Sequence, residues 1–254
     1  MVPERSLRTC GGPVRLTTMF RTPAKIALVA ALLYAPVVLA AKKTAPPALA
    51  ANAYAARETH DKEHVTIAAE PFETRAKGDF FRLDYAGHSL LPVRIVIQND
   101  SDQPLDLNQA RIQFIAADGT KLPAATPDEI NRRLFRFNDI KSKRIPGTPI
   151  QYRPTPVDKK ILDDDKDFSF SQTVVPPHSA ASGFLFYDIK DLDDPPLRGA
   201  ELYVKMLHAR DQSGPELYGF SVPFDKYLAQ QKAEKDAAKA ASAPQPDTTK
   251  KENQ

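Results

Sequence analysis

Residues Pro92–Asn99, PVRIVIQN, place Val93, Ile95 and Ile97 on one side and Arg94 and Gln98 on the other, with Val96 interrupting the alternation. A period of two with one apolar side is the signature of a strand with one buried face. The run ends in Asn99-Asp-Ser-Asp-Gln-Pro104, residues that bond their own backbone or fix φ and so turn the chain. Short alternating runs closed by such turns recur from residue 63 to residue 228, and they limit the fold to an antiparallel all-β arrangement rather than βαβ units.

The other runs follow the same logic. His64–Phe72 opens with β-favouring residues, and Phe81, Leu83 and Tyr85 alternate with Arg82 and Asp84. Ala110–Ala116 carries Ile112 and Phe114 on one face and leads into Asp118-Gly119, a hairpin or turn signal. Asp167–Val175 alternates Phe168 and Phe170 with serines. Ser182–Lys190 is apolar on both faces, which predicts a central strand. Ala200–His208 sets Leu202, Val204 and Met206 on one face, and Glu216–Phe224 does the same with Tyr218, Phe220, Val222 and Phe224.

Two stretches break the period. Thr126-Pro-Asp-Glu129 spells a capping box with proline at the first helical position; Ile130, Leu134 and Phe137 follow at helical spacing. This predicts one short inserted helix over 127–136. Residues 138–166 hold Pro146, Pro149, Pro154 and Pro156 and no clean period, so they are expected as a long loop, and binding residues concentrate on such loops.

The ends are different in kind. Ile26–Ala40 is a charge-free apolar run of 15 residues, preceded by Arg21 and Lys25 and ending in small residues. A basic n-region, an apolar h-region and small residues at the end make a cleavable export signal over 1–40, with Met19 an alternative start. A spanning helix needs about 20 apolar residues, so membrane attachment is expected only if this segment stays uncleaved. Residues 41–62 read as an Ala/Pro linker and 229–254 as an Ala/Lys-rich helix or tail with little to bury. The expectation is an exported protein, periplasmic or secreted.

The strand ending in Asn and its polar-Pro-Leu turn (VRIVIQNDSDQPLDL), then GFLFYDI, then a final pair of aromatic-rich strands, resemble immunoglobulin-like domains of exported bacterial proteins. The chain as a whole resembles uncharacterised exported bacterial proteins of that kind. The resemblance covers about residues 64–228, implies an immunoglobulin-like antiparallel β-sandwich, and carries no functional residue.

Charge and cysteine content exclude several functions. The formal net charge is +3, but residues 1–40 hold five basic residues and one acid; the rest carries 30 basic and 31 acidic side chains. A balance of that kind lacks the positive field that nucleic-acid binding needs. The single cysteine, Cys10, precedes the apolar run, and Lys42 and Lys43 follow it. Neither a lipid-anchor cysteine nor, after cleavage, a disulfide or thiolate site is available.

His60-Asp-Lys-Glu63-His64 matches H-x-x-E-H, the zinc pattern of one metallopeptidase class. That chemistry needs His60 and His64 on one helical face with Glu63 as base, and the Ala-rich residues 48–63 are compatible with a helix. The motif sits in the linker ahead of a strand, however, and a solvated stretch is the expectation. Asp163, Asp164, Asp165 and Asp167, and Asp191, Asp193 and Asp194, are expected as solvated loops. Arg132, Arg133, Arg136, Lys141, Lys143, Arg144 and Arg153 make the helix and long loop basic. Arg133, Lys141, Arg144, Tyr152 and Arg153 are the candidate binding residues. The reading is a non-enzymatic interaction or scaffold module with a protein or envelope-polymer partner, no cofactor and no catalytic residue. The alternatives are a metal-dependent hydrolase and a binder of anionic envelope surfaces.

Overall fold

A computed structural model describes residues 44–134, 143–144, 151–152 and 155–241. The expected export signal over 1–40 lies outside the described residues. A 3-10 turn at Ala51–Ala53 precedes β1 (Arg57–His60), β2 (Val65–Pro71), β3 (Leu90–Asn99), β4 (Leu105–Asp106), β5 (Arg111–Ile115) and β6 (Lys121–Pro123). Then come α1 (Pro127–Leu134), β7 (Lys143–Arg144), β8 (Gln151–Tyr152) and α2 (Val157–Phe168). The chain continues through β9 (Val174–Val175), β10 (Ser179–Asp188), β11 (Glu201–Lys205), β12 (His208–Ala209), β13 (Phe220–Pro223) and α3 (Asp225–Ala241).

The strands form two four-stranded sheets, β1-β2-β3-β10 and β13-β11-β5-β6, a three-stranded sheet β12-β4-β9, and the ribbon β7-β8. Every pairing between these strands is antiparallel. The protein is therefore mostly β, as the period-two runs predict. Ile67, Val93, Ile95 and Ile97 of the first four-stranded sheet and Phe114, Leu202, Val204, Phe220 and Val222 of the second share one buried apolar cluster. The alternation of β3 is the physical cause: its odd-numbered residues turn toward that cluster. Asn99 ends the strand fully buried. Its amide donates to Gln103, Val175 and Pro176 carbonyls at 2.8, 3.2 and 3.2 Å, and its oxygen accepts from Ser101. Asp118 accepts from the Thr120 N–H at 2.8 Å, and Gly119 takes φ 85°, closing the β5–β6 hairpin.

The capping box forms as written. Thr126 N–H donates to Glu129 Oε2 at 2.8 Å, and the Glu129 N–H points back to Thr126 Oγ1 at 3.4 Å. α1 is described to Leu134, with Ile130 and Leu134 buried.

Several expectations are corrected. Residues 81–85 are not a strand but turns leading to a 3-10 turn at Ala86–His88. The Arg82 N–H donates to a side chain, Asp164, instead of to a neighbouring strand. The loop expected over 138–166 contains the ribbon β7-β8 and most of α2. Val157, Ile161, Asp164 and Phe168 share one face of α2 at helical spacing; an aspartate on that face disguised the period. Consequently 167–175 is not one strand: α2 ends at Phe168 and β9 is only Val174–Val175.

β10 lies at the sheet's edge, not its centre. Its open side is capped because Phe170 N–H bonds Phe184 O and Ala125 N–H bonds Phe186 O, at 3.0 and 2.7 Å; both its faces are covered, which explains its apolar character. Met206 takes φ 61° and shifts the phase, so Leu207 enters the core in its place. Tyr218 is 82 % exposed, whereas Phe220, Val222 and Phe224 are buried as expected. The supposed linker 41–62 contains β1 and a docked segment described below. Among the described residues no helix is long and apolar enough to cross a membrane.

Candidate binding cleft

The even-numbered residues of β3 face away from the apolar cluster, and they are covered too. Two elements cover them. One is an aromatic layer: Phe72, Phe80, Phe81 and Tyr85 pack with Phe184, Phe186, Leu90 and the buried faces of α1 and α2. The other is residues 45–56, the strap, in which Ala51 and Tyr54 pack on Ala68 and Val96.

Arg94 lies between the two and is only 4 % exposed. A guanidinium removed from water must be paired and hydrogen-bonded. Here Nη2 donates to the Pro46 carbonyl at 2.8 Å and Nη1 to the Pro47 carbonyl at 3.4 Å, with Glu70 at 3.6 Å. The guanidinium stacks over Phe72 and Phe184, 5.3 and 5.0 Å from the ring centres. Four residues along the strand, Gln98 Oε1 accepts from the Ala51 N–H at 3.0 Å while its amide nitrogen is tied to Asp100. The Leu49 N–H is held by the Tyr54 hydroxyl at 2.9 Å.

Beside the strap opens a cleft of about 620 Å³, bounded by Pro46, Leu49, Tyr54, Glu70, Arg94 and, on α3, Gln230 and Glu234. Lys77 forms its inner wall: Nζ pairs with Glu70 at 3.1 Å and donates to Pro71 O at 2.8 Å and Tyr227 Oη at 3.1 Å. It also lies 4.8 Å from the centres of the Phe72 and Tyr227 rings. Burial, reinforced by Glu73, pushes the Tyr227 phenol well above its ordinary value, so it stays protonated and donates to Glu73 at 3.0 Å. Glu70, Lys77 and Arg94 thus compensate one another, while Glu234 accepts from the Gln230 amide at 2.8 Å. Among the described residues the cleft's lining offers carboxylates, an ammonium, a guanidinium, phenols, side-chain amides and apolar surface.

A second polar cluster anchors α2. Asp164 is fully buried and accepts from the Arg82 N–H, from the Arg82 guanidinium at 2.7 Å and from the Tyr85 hydroxyl at 2.9 Å. Arg82 also holds Asp167 at 2.6 Å. Burial raises the Asp164 carboxyl above its usual value against the pull of those donors; burial and the facing carboxylate raise Tyr85. Asp164 itself is closed off from solvent, while Arg82 and Asp167 are partly exposed. The aspartate run Asp163–Asp167, expected as a solvated loop, is here part of a helix with Asp164 buried and Asp167 also bound to Arg82.

The sequence-derived candidates are dispersed. His60 closes β1, Glu63 lies in the turn, and His64 ends the turn at φ 55°. A β-hairpin, not a helix, carries the H-x-x-E-H motif, so its two histidines do not share a helical face. His60 stacks on Phe220 with ring centres 3.8 Å apart and meets Glu63 at 3.8 Å. Among the described residues no group of three or more His, Cys, Asp or Glu is placed to hold a metal. Arg133 pairs with Asp188 at 3.6 Å. Arg144 and Tyr152 fall in the paired strands β7 and β8, and Lys141 and Arg153 lie outside the described residues.

The residues that build the cleft escaped sequence reasoning because Arg94 reads as the polar member of an alternating strand. Val96, which breaks that alternation, was the available signal that the second face is also covered. Comparisons with protein-family models, curated proteins and solved structures gave no match.

Proposed function

We propose that this chain is an exported, non-enzymatic interaction module of the cell envelope, that its domain is an immunoglobulin-like β-sandwich, and that the strap cleft captures a protein partner. The observation that carries the reading is Arg94: a buried cation whose donors are spent on the backbone carbonyls of an extended segment, beside an open cleft. An enzyme site would need a group poised to transfer a proton or attack; in the cleft Glu70, Lys77 and Arg94 are engaged with one another and Tyr227 is engaged with Glu73, which supports a binding role. The basic segment and apolar run ahead of the domain support export. The shared core of the two four-stranded sheets supports the sandwich.

A photo-crosslinking side chain placed at Gln230 or Leu49 tests this reading in the native envelope. Leu49 is 58 % exposed and Gln230 is exposed as well, so either position tolerates the probe. The expected result is one common protein adduct from both positions and none from exposed Arg210, with the processed N-terminus at Ala41 or Lys42. Equal labelling from all three positions would remove the cleft as the site.

A further inference from the structure

The strap occupies its groove as a ligand would. Ala50 has φ −59° and ψ 144°, the polyproline II conformation that Pro46 and Pro47 also favour. A polyproline II backbone makes no internal hydrogen bonds, so the carbonyls of residues 46 and 47 are free to be read; that of Ala50 instead accepts from the Ala53 N–H at 2.9 Å in the 3-10 turn that follows. β3 reads them at matching intervals. Arg94 donates to the carbonyls of 46 and 47, and Gln98 accepts from the N–H of 51. From Arg94 to Gln98 the strand advances about 13 Å; from 47 to 51 a polyproline II chain advances about 12 Å. Val96 and Ala68 form the floor between the two readers, on which Ala51 and Tyr54 pack.

From this we infer that the outer face of β2–β3 is a receptor groove for an extended, uncharged, proline-containing segment of a partner protein, and that the strap is its resident competitor. The inference rests on the strap cleft being the interaction site. The compensated charges of Glu70, Lys77 and Arg94 favour an uncharged occupant. The preformed conformation of Pro-Pro lowers the ordering cost of binding. Because the strap is tethered, its effective concentration is on the order of millimolar or above. A partner segment therefore binds in proportion to the fraction of groove left open, and anything that loosens the strap strengthens capture.

The test uses the mature full chain and a fluorescent synthetic peptide, TAPPALAANA, copied from residues 44–53. Ala51→Asp places a charge at a fully buried strap position and expels the strap. Pro46→Gly/Pro47→Gly loosens it through two exposed residues and guards against misfolding of the first variant. Peptide affinity, read by anisotropy, should rise at least about tenfold in either variant relative to the unaltered protein. Adding Arg94→Met should abolish it, and a peptide with both prolines replaced by glycine should bind about tenfold more weakly. No binding to either folded strap variant would overturn the inference. So would a concentration-dependent dimer of the unaltered protein that Ala51→Asp dissolves, because the occupant would then be the strap of a second copy. If peptide binding fails while Gln230 and Leu49 still crosslink the same envelope protein, the groove inference falls and the cleft reading stands.

Discussion

Both faces of the paired strands β2 and β3 are buried, by different physics. The inner face sets Val93, Ile95, Ile97 and Ile67 against the apolar residues of the second four-stranded sheet. That contact is non-directional and scales with area removed from water. The outer face holds a guanidinium, an aromatic layer, a buried carboxylate and an extended strap. Its stability depends on each donor meeting its acceptor, because an unpaired buried polar group is costly. The inner face is thus generic packing, and the outer face is recognition directed at the chain's own segments.

The comparison is sharpest at Ile95. Replacing it with alanine should cost about 2–5 kcal/mol in chemical denaturation; a loss below about 0.5 kcal/mol would mean the inner face is not the main source of stability. The outer face's counterpart is Asp164→Ala, which strips the acceptor from Arg82 and Tyr85. It should cost about 1–3 kcal/mol, and the loss should shrink when Tyr85→Phe is already present, because one orphaned donor has gone. Equal costs with and without Tyr85→Phe would show that the two groups are not coupled.

The inner face contains one polar misfit, and it offers a change of the opposite sign. Tyr187 is fully buried, its hydroxyl has no hydrogen-bond partner among the described residues, and desolvation raises its phenol well above the ordinary value. Tyr187→Phe should raise stability by about 1 kcal/mol; destabilisation would reveal a partner for the hydroxyl. On the outer face, Arg94→Met should change global stability by less than about 1 kcal/mol, since Glu70 keeps Lys77 as its ion-pair partner at 3.1 Å and the Pro46 and Pro47 carbonyls belong to exposed residues, so no buried charge is left uncompensated. Hydrogen exchange at the Ala51 N–H should nevertheless accelerate, because the strap loses its carbonyl contacts. A large global loss would place Arg94 in the scaffold rather than in recognition.

The smallest effect is local to α1. Hydrogen bonds from the Thr126 backbone and then its hydroxyl hold the Glu129 carboxyl below its usual value. Because the folded value lies below the unfolded one, this stabilisation is present above the ordinary glutamate range and is lost as pH falls through the folded value. In an NMR titration Glu129 should titrate below an ordinary glutamate and move up in Thr126→Ala. An unchanged midpoint would mean the capping box is not populated in solution.

Features that depend on neighbours a few residues away were legible before any folding. Period-two alternation set β3, β5 and β11, the Asn99–Pro104 turn and the Asp118-Gly119 hairpin closed as composed, and the Thr126–Glu129 box started α1. Tertiary structure alone decided what covers the second face. Nothing local distinguishes an arginine pointing to water from Arg94, because its partners are carbonyls 47 and 48 residues away in sequence. Nothing local distinguishes a solvated aspartate run from a helix docked by Asp164, whose donors lie 79 and 82 residues away. Composition marked residues 44–56 as linker because Ala and Pro bury little area each. They dock because Arg94 meets the carbonyls of 46 and 47, Gln98 meets the Ala51 N–H, and Ala51 and Tyr54 pack on Ala68 and Val96, and that surface exists only once β2 and β3 have paired.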